Sequence, residues 1–369
     1  MATLVLVAGA RPNFMKIAPI LRALAARTPP VEATLVHTGQ HYDTSMSDVF
    51  FQQLGIRSPD IYLGVGSASH AQQTAKILMA FEETLLELDE PAGVVVVGDV
   101  NSTMACSLVA VKLGISVAHV EAGLRSRDRR MPEEINRVVT DAVADLLMVS
   151  EPDGMRNLKA EGIADNKICY VGNVMIDTLV HQLEQARELH MAAKLGLEAG
   201  KLALVTLHRP SNVDGRERLG ALVDFLIRVA ARVPIVFPVH PRTDNKLREY
   251  DLRDRLAAAE GVQLLEPLGY RENLSLMADA QLVISDSGGI QEETTYLQVP
   301  CVTLRPNTER PVTVTEGTNT VVGEDLDKAW QTVAAVLSGT NRSGKAIDGW
   351  DGRAAERIVD VLVERWHLG

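Results

Sequence analysis

The chain has 369 residues, 46% of them hydrophobic and 4% aromatic, enough to bury the cores of two domains. Its 48 acidic and 37 basic residues give a formal net charge of −11, which excludes a nucleic-acid or anionic-membrane surface as its main interface and requires any anionic ligand to meet locally placed cations. Cys106, Cys169 and Cys301 are far apart without metal-ligand spacing, and no apolar run approaches the roughly 18 residues that span a bilayer; the expectation is a cytoplasmic protein with reduced thiols, no bound metal and no membrane segment.

In chain order, short β-branched runs alternate with helical patterns, the signature of parallel α/β layers. The predicted strands of the first half are 3–8, 32–37, 93–98, 115–120, 145–149 and 168–171. A helical stretch over about 175–198 closes on Gly200, and strands follow at 202–206, 234–239, 262–265, 281–284, 300–304 and 319–322. The polar segment 339–350 precedes a last amphipathic helix at about 352–367. The expected organisation is an N-terminal domain over 1–172, a C-terminal domain over 173–350, and a final segment, 351–369, returning to the first domain.

Open parallel sheets bind ligands beyond the carboxyl ends of their strands. The residues at those ends are therefore the candidates, and two such edges facing each other would form an interdomain active-site cleft. After the first strand, "AGARPNFMKIAPI" has one glycine where a dinucleotide fingerprint has three, and it places Arg11 and Lys16 near a helix start as anion ligands. Gln40 and His41 follow the second strand. "VVVVGDVNST" puts Asp99 after a fully apolar strand, and "SVAHVEAGLRSRDRRMPEEINR" puts Glu121 after the next, with Glu133 and Glu134 opening a helix begun by Pro132. Clustered carboxylates repel, so one can hold a proton near neutral pH, as acid and base chemistry needs. His119, inside an apolar strand, reads as a core histidine.

In the second half "VTLHRPSNVDG" offers His208 and Arg209, suited to a diphosphate, and "PVHPRTD" offers His240 and Arg242. Each histidine also fits a local loop anchor. In "SDSGGIQEET" Gly288 and Gly289 at a helix mouth let backbone N–H groups approach a phosphate. Glu293, one turn on, could accept ribose hydroxyls. The same residues suit a tight turn whose glycines only permit close packing, with Glu292 and Glu293 as helix-surface acids. Both readings stay open on this motif alone.

Taken in order, "GARPNFMKIAPI", "HTGQH", "GDVNST", "HVEAGLRS", "MPEEINR", "VTLHRP", "PVHP", "SDSGGIQEE" and "TERPVTVTEGTN" resemble the successive motifs of the non-hydrolysing UDP-N-acetylglucosamine 2-epimerases, over about residues 3–323. The resemblance implies two Rossmann-like, doubly wound parallel-sheet domains in a GT-B arrangement. It implies Asp99, Glu121, Glu133 and His208 as catalytic residues. For UDP it implies Arg11, Lys16, the turn Ser287, Gly288 and Gly289, Glu293 at the ribose, and Arg310 of "TERP". It also implies a UDP-sugar substrate, no cofactor, and a homodimer. Two stretches depart from the pattern: Leu268 and Asn273 stand where some members carry glutamine and phenylalanine on the uracil side, and "YDTSMSDVF" differs from the loop that forms a second, activating site in some members. Rival readings are a 2-epimerase of a diacetamido uronic acid, a GT-B glycosyltransferase and a silent UDP-sugar sensor.

Overall fold

Strand β1 (Leu4–Ala8) is an unbroken apolar run buried at every position, as expected of a parallel strand covered on both faces. The computed structural model describes residues 3–39, 51, 54–340 and 343–368. The chain divides into two compact units, one formed by Met1–Thr178 with Asp348–Gly369 and the other by Leu179–Ile347.

The first unit carries β1, β2 (Ala33–His37), β3 (Ile61–Tyr62), β4 (Gly93–Val97), β5 (Val117–Val120), β6 (Leu146–Val149) and β7 (Ile168–Tyr170). They form a seven-stranded sheet in the order β3-β2-β1-β4-β5-β6-β7. All the pairings are parallel; β4 and β5, for example, run in register from Val94 against Val117 to Val97 against Val120. The sheet's apolar residues pack with Ile77 and Phe81 of the helix His70–Glu87, while Met79 and Leu86 of that helix are exposed. The sequence reading missed β3, which pairs with β2 over only two positions, Val36 with Ile61 and His37 with Tyr62. Two residues are too few to show a period.

The second unit carries β8 (Ala203–Thr206), β9 (Ile235–Pro238), β10 (Val262–Leu265), β11 (Leu282–Ser285), β12 (Cys301–Thr303) and β13 (Asn319–Val321), in the order β10-β9-β8-β11-β12-β13 and again parallel. Its core joins Val205, Ile235, Phe237 and Ile284 to Leu222 and Leu226 of the helix Arg216–Ala230. Both sheets are thus doubly wound α/β layers, and every other strand falls where the apolar runs placed it. The helical stretch between the two sets of strands is broken: Val174–Glu188 is followed by His190 in left-handed backbone (φ 47°) and a short helix, Met191–Lys194.

The last helix, Ala354–Trp366, is held within the first unit. Asp177 accepts the N–H groups of Ala354 (3.1 Å) and Ala355 (2.7 Å), donors that a helix start leaves unpaired. Burial raises the Asp177 carboxyl to about 6, against the pull of those two donors. Just upstream, the Trp350 indole N–H donates to the Ser150 carbonyl at 3.0 Å. No described helix is long and apolar enough to cross a membrane.

Candidate functional site

Each sheet reverses its strand order once, between β1 and β4 in the first unit and between β8 and β11 in the second. Ligands of open α/β sheets bind at such switch points. In the first unit, the β1 side leads into the helix Arg11–Ala26 with Arg11 and Lys16, and the β4 side ends at Asp99. The Asn13 side chain ties the two sides together, accepting from the N–H groups of Gly9 (3.0 Å) and Ala10 (2.9 Å) and donating to the Val97 carbonyl (3.0 Å). Arg11 is exposed at the start of that helix, whereas Lys16 is buried with its ammonium in an ion pair with Glu121. The reading of both as cations at a helix start therefore separates into one exposed cation and one turned onto a candidate catalytic carboxylate.

Glu121 has φ 74°, the left-handed region that a non-glycine residue rarely occupies. The Met148 carbonyl holds it there by accepting from the N–H groups of Glu121 (2.9 Å) and Ala122 (3.1 Å). Strained backbone of this kind persists where its surroundings over-determine it, commonly at functional positions. Asp99, at the end of the paired neighbour β4, is half-buried and accepts from Arg137 Nη2 (2.6 Å) and Nε (3.1 Å). Asn136 donates to the Asp99 carbonyl at 2.9 Å.

The adjacent acids of "MPEEINR" have different fates. Glu134 is 3% exposed and accepts from Ser126 N–H (2.8 Å), the Ser126 hydroxyl (3.0 Å), Arg127 N–H (2.9 Å) and Arg137 Nη1 (2.8 Å). Burial opposes its charge, but those donors hold its carboxyl below the usual range. Glu133 is half-buried, and its side chain has no hydrogen-bond partner among the described residues. Glu134 thus braces Arg137, and Arg137 braces Asp99.

Beneath the two turns lies a fully buried network. His119 Nδ1 is 2.6 Å from Asp141 Oδ1, and His119 Nε2 is 2.8 Å from the Gly98 carbonyl. Asp141 also accepts from Gly123 N–H (3.0 Å) and pairs with Arg125 (2.7 Å). Burial opposes the Asp141 charge, but His119 and Arg125 keep its carboxyl below the ordinary range. The core histidine is therefore also a link, tied on one side to the residue before Asp99 and on the other, through Asp141, to the loop after Glu121.

At the second switch point, Asp286 follows β11 and is fully buried. It accepts from His208 N–H (3.1 Å), Arg209 N–H (2.9 Å) and Asn212 Nδ2 (3.1 Å), all beyond β8, and its Oδ1 lies 3.1 Å from His208 Nδ1. Burial raises the Asp286 carboxyl, but these contacts outweigh it and the net direction is down. The His208 and His240 rings lie 5.5 Å apart between centroids. Burial, and then His208, lower the His240 imidazole, whose Nδ1 accepts from Arg242 N–H at 3.2 Å. The Arg242 side chain turns to Asp214 (Nε to Oδ1, 2.9 Å).

Ser287 caps the helix Gly288–Leu297 in extended backbone. A Cβ built on Gly289 would meet nothing within 4 Å, so close packing is not what requires that glycine. A Cβ on Gly288 would lie 3.4 Å from Arg310 Nη1 and 3.6 Å from Arg305 Nη1. Two guanidinium groups thus crowd a helix N-terminus, an end whose dipole favours anions. Glu292 and Glu293 are not surface acids: they are 1% and 5% exposed. Glu292 pairs with Arg310 Nε at 2.6 Å, and Glu293 accepts from the Tyr270 hydroxyl at 2.9 Å. Burial raises the Glu293 carboxyl to about 7, with the Tyr270 bond opposing and Glu292 adding to the rise.

Sequence reasoning missed Arg137, Asp141, Asp286 and Tyr270 as site supports, although Asp286 stands inside a quoted motif and Arg137 ends another. Gln40, His41 and most of the stretch after them lie outside the described residues.

A family profile described as UDP-N-acetylglucosamine 2-epimerase matches residues 22–363. A UDP-N-acetylglucosamine 2-epimerase of Methanocaldococcus jannaschii is 42% identical over 97% of this chain and 98% of its own length. A crystal structure of the M. jannaschii enzyme in complex with UDP-GlcNAc and UDP superposes with a TM-score of 0.87 at 41% identity, covering 98% of this chain and 99% of that one. A UDP-2,3-diacetamido-2,3-dideoxy-D-glucuronate 2-epimerase of Pseudomonas aeruginosa is 39% identical over 96% of this chain and 98% of its own length.

Proposed function

Because the chain belongs to the UDP-N-acetylglucosamine 2-epimerase family, we propose that it interconverts UDP-N-acetylglucosamine and its manno isomer by inversion at carbon 2. The observation that carries this reading is the pair Asp99 and Glu121 at the ends of paired strands, each set against a buried cation, Arg137 and Lys16. Carbon 2 is not next to a carbonyl, so its proton is not acidic enough for simple removal and return. Breaking the anomeric C–O bond first solves the problem. UDP leaves by anti elimination as a carboxylate takes the carbon 2 proton, and 2-acetamidoglucal results; re-addition of UDP, with a proton delivered to the other face of carbon 2, completes the inversion.

Asp99, Glu121 and Glu133 are assigned the proton transfers and the stabilisation of the oxocarbenium-like centre, with His208 serving the leaving diphosphate. Arg11, Lys16, Arg209, His240, Arg310 and the Ser287-Gly288-Gly289 turn are assigned to UDP, and Glu293 to its ribose. The product would supply ManNAc-type sugars for cell-surface polysaccharide, made in the cytoplasm by a homodimer; light scattering of the purified chain measures the dimer directly.

The test is incubation of the purified chain with UDP-N-acetylglucosamine in deuterated water. Epimer carrying deuterium at carbon 2, with slow leakage of UDP and 2-acetamidoglucal, is the expected result. Asp99→Asn, Glu121→Gln and Glu133→Gln should each slow turnover by roughly 10²–10⁴-fold, the range for losing a general acid or base. Protium retained at carbon 2 with no glucal would sink the elimination mechanism. The P. aeruginosa relative makes UDP-diacetamido-glucuronate the parallel substrate to offer; turnover of that sugar alone would move the assignment to it.

A further inference from the structure

We infer that Arg305 is a ligand of the substrate's diphosphate, forming an anion seat with the backbone N–H groups at the start of the helix Gly288–Leu297 and with Arg310. This rests on the nucleotide-sugar reading above and adds a residue to it. Arg305 is 5% exposed and spends one nitrogen on Glu309 (Nη2 to Oε1, 2.6 Å). Its Nη1 is buried and has no hydrogen-bond partner among the described residues. A buried cationic donor without an acceptor is unfavourable, so such a group is held in place for a ligand or left as a defect.

Its direction favours the ligand. Nη1 lies 3.6 Å from the Cβ position of Gly288, beside Arg310 Nη1 at 3.4 Å, while the space over Gly289 is open. The backbone that carries Arg305 is fixed: Leu304 N–H donates to the Ser285 carbonyl (2.9 Å), and Asn212 Nδ2 donates to the Leu304 carbonyl (2.9 Å). Further along the loop, Thr308 donates to Gln291 (2.6 Å) on the helix itself. Two guanidinium groups and the free N–H groups of a ten-residue helix converge on one point. A phosphoryl group supplies the negative charge and the several acceptor oxygens that this set of donors requires.

Calorimetric titration of the full chain with uridine, UMP and UDP tests this. Arg305→Gln should weaken UDP binding by about 10–100-fold, the size of one charge-assisted hydrogen bond, and leave uridine binding unchanged. Glu309→Gln, which removes the same ion pair but keeps the guanidinium, should melt at a lower temperature yet bind UDP within about twofold of wild type. Equal UDP affinity in Arg305→Gln and wild type would overturn the inference, as would parallel losses of UDP affinity in the Arg305 and Glu309 variants. If Arg305→Gln does not fold, Arg305→Lys decides. An ammonium cannot bridge Glu309 and a phosphate as the planar fork does, so UDP affinity should fall several-fold, and unchanged affinity would refute the role. A wild-type chain that binds no UDP would sink the nucleotide-sugar reading and this assignment with it.

Discussion

Replacing Asp141 with Asn tests whether the ionic network under the Asp99 and Glu121 turns is structural support for both. Asp141 neutralises the buried guanidinium of Arg125, lies 2.6 Å from His119 Nδ1, and accepts Gly123 N–H. Asparagine keeps one acceptor oxygen, but its NH₂ then faces a donor, and the charge is gone. Arg125 retains Glu161, at 2.6 Å, so part of the compensation survives. Removing one partner of a buried ion pair costs about 3–5 kcal/mol. For a unit of about 200 residues, each kcal/mol lowers the melting temperature by roughly 2–4 °C. The expected drop is therefore roughly 6–20 °C in the transition of the first unit, read by calorimetry of the whole chain at neutral pH. The folded Asp141 carboxyl lies below its ordinary value, so its contribution is complete above the unfolded pKa of about 3.9 and is lost as pH falls through the folded one. The variant's deficit should accordingly shrink in acid. A loss under 1 kcal/mol, or a deficit that does not shrink as the carboxyl protonates in the wild type, would refute the reasoning.

Three other outcomes follow from the same contacts. Asp286→Asn should lower kcat by roughly 10²-fold or more with a smaller effect on KM, because the carboxylate orients His208; an unchanged kcat would remove His208 orientation from the mechanism. Glu293 is an acid whose folded value, about 7, lies above its ordinary 4.5, so its contribution to stability is present below the ordinary value and lost as pH rises through 7. Melting curves of Glu293→Gln should lack that loss, and identical pH profiles for variant and wild type would disprove the shift. Gly172→Ala should release the C-terminal segment, since Gly172 has φ 83° and a Cβ there would lie 1.9 Å from the Gly349 carbonyl oxygen; limited proteolysis should then cut near residue 349, and wild-type resistance would contradict the packing.

What the sequence determined by itself is whatever has a local period or a local end. Parallel strands buried on both faces are continuous apolar runs, so β4 ("GVVVV") and β11 ("LVIS") are legible without any partner. The residues just beyond such runs must lie at the carboxyl edge of a sheet, which is why Asp99, Glu121, His208 and Ser287 could be singled out as candidates. Partners distant in the chain carry no such mark. Arg137 meets Asp99 across 38 positions and Asp286 meets His208 across 78. Nothing local separates Glu133 from Glu134, yet one is a buried brace and the other is half-buried without a described partner, because adjacent helix positions point about 100° apart and only the neighbouring loop decides which is covered. For the same reason the exposure of Glu292 and Glu293, the turn of Lys16 onto Glu121, and the direction of Arg305 are tertiary facts. Each depends on which strand ends the sheet order brings side by side, and that order is set by long-range packing that a one-dimensional pattern does not contain.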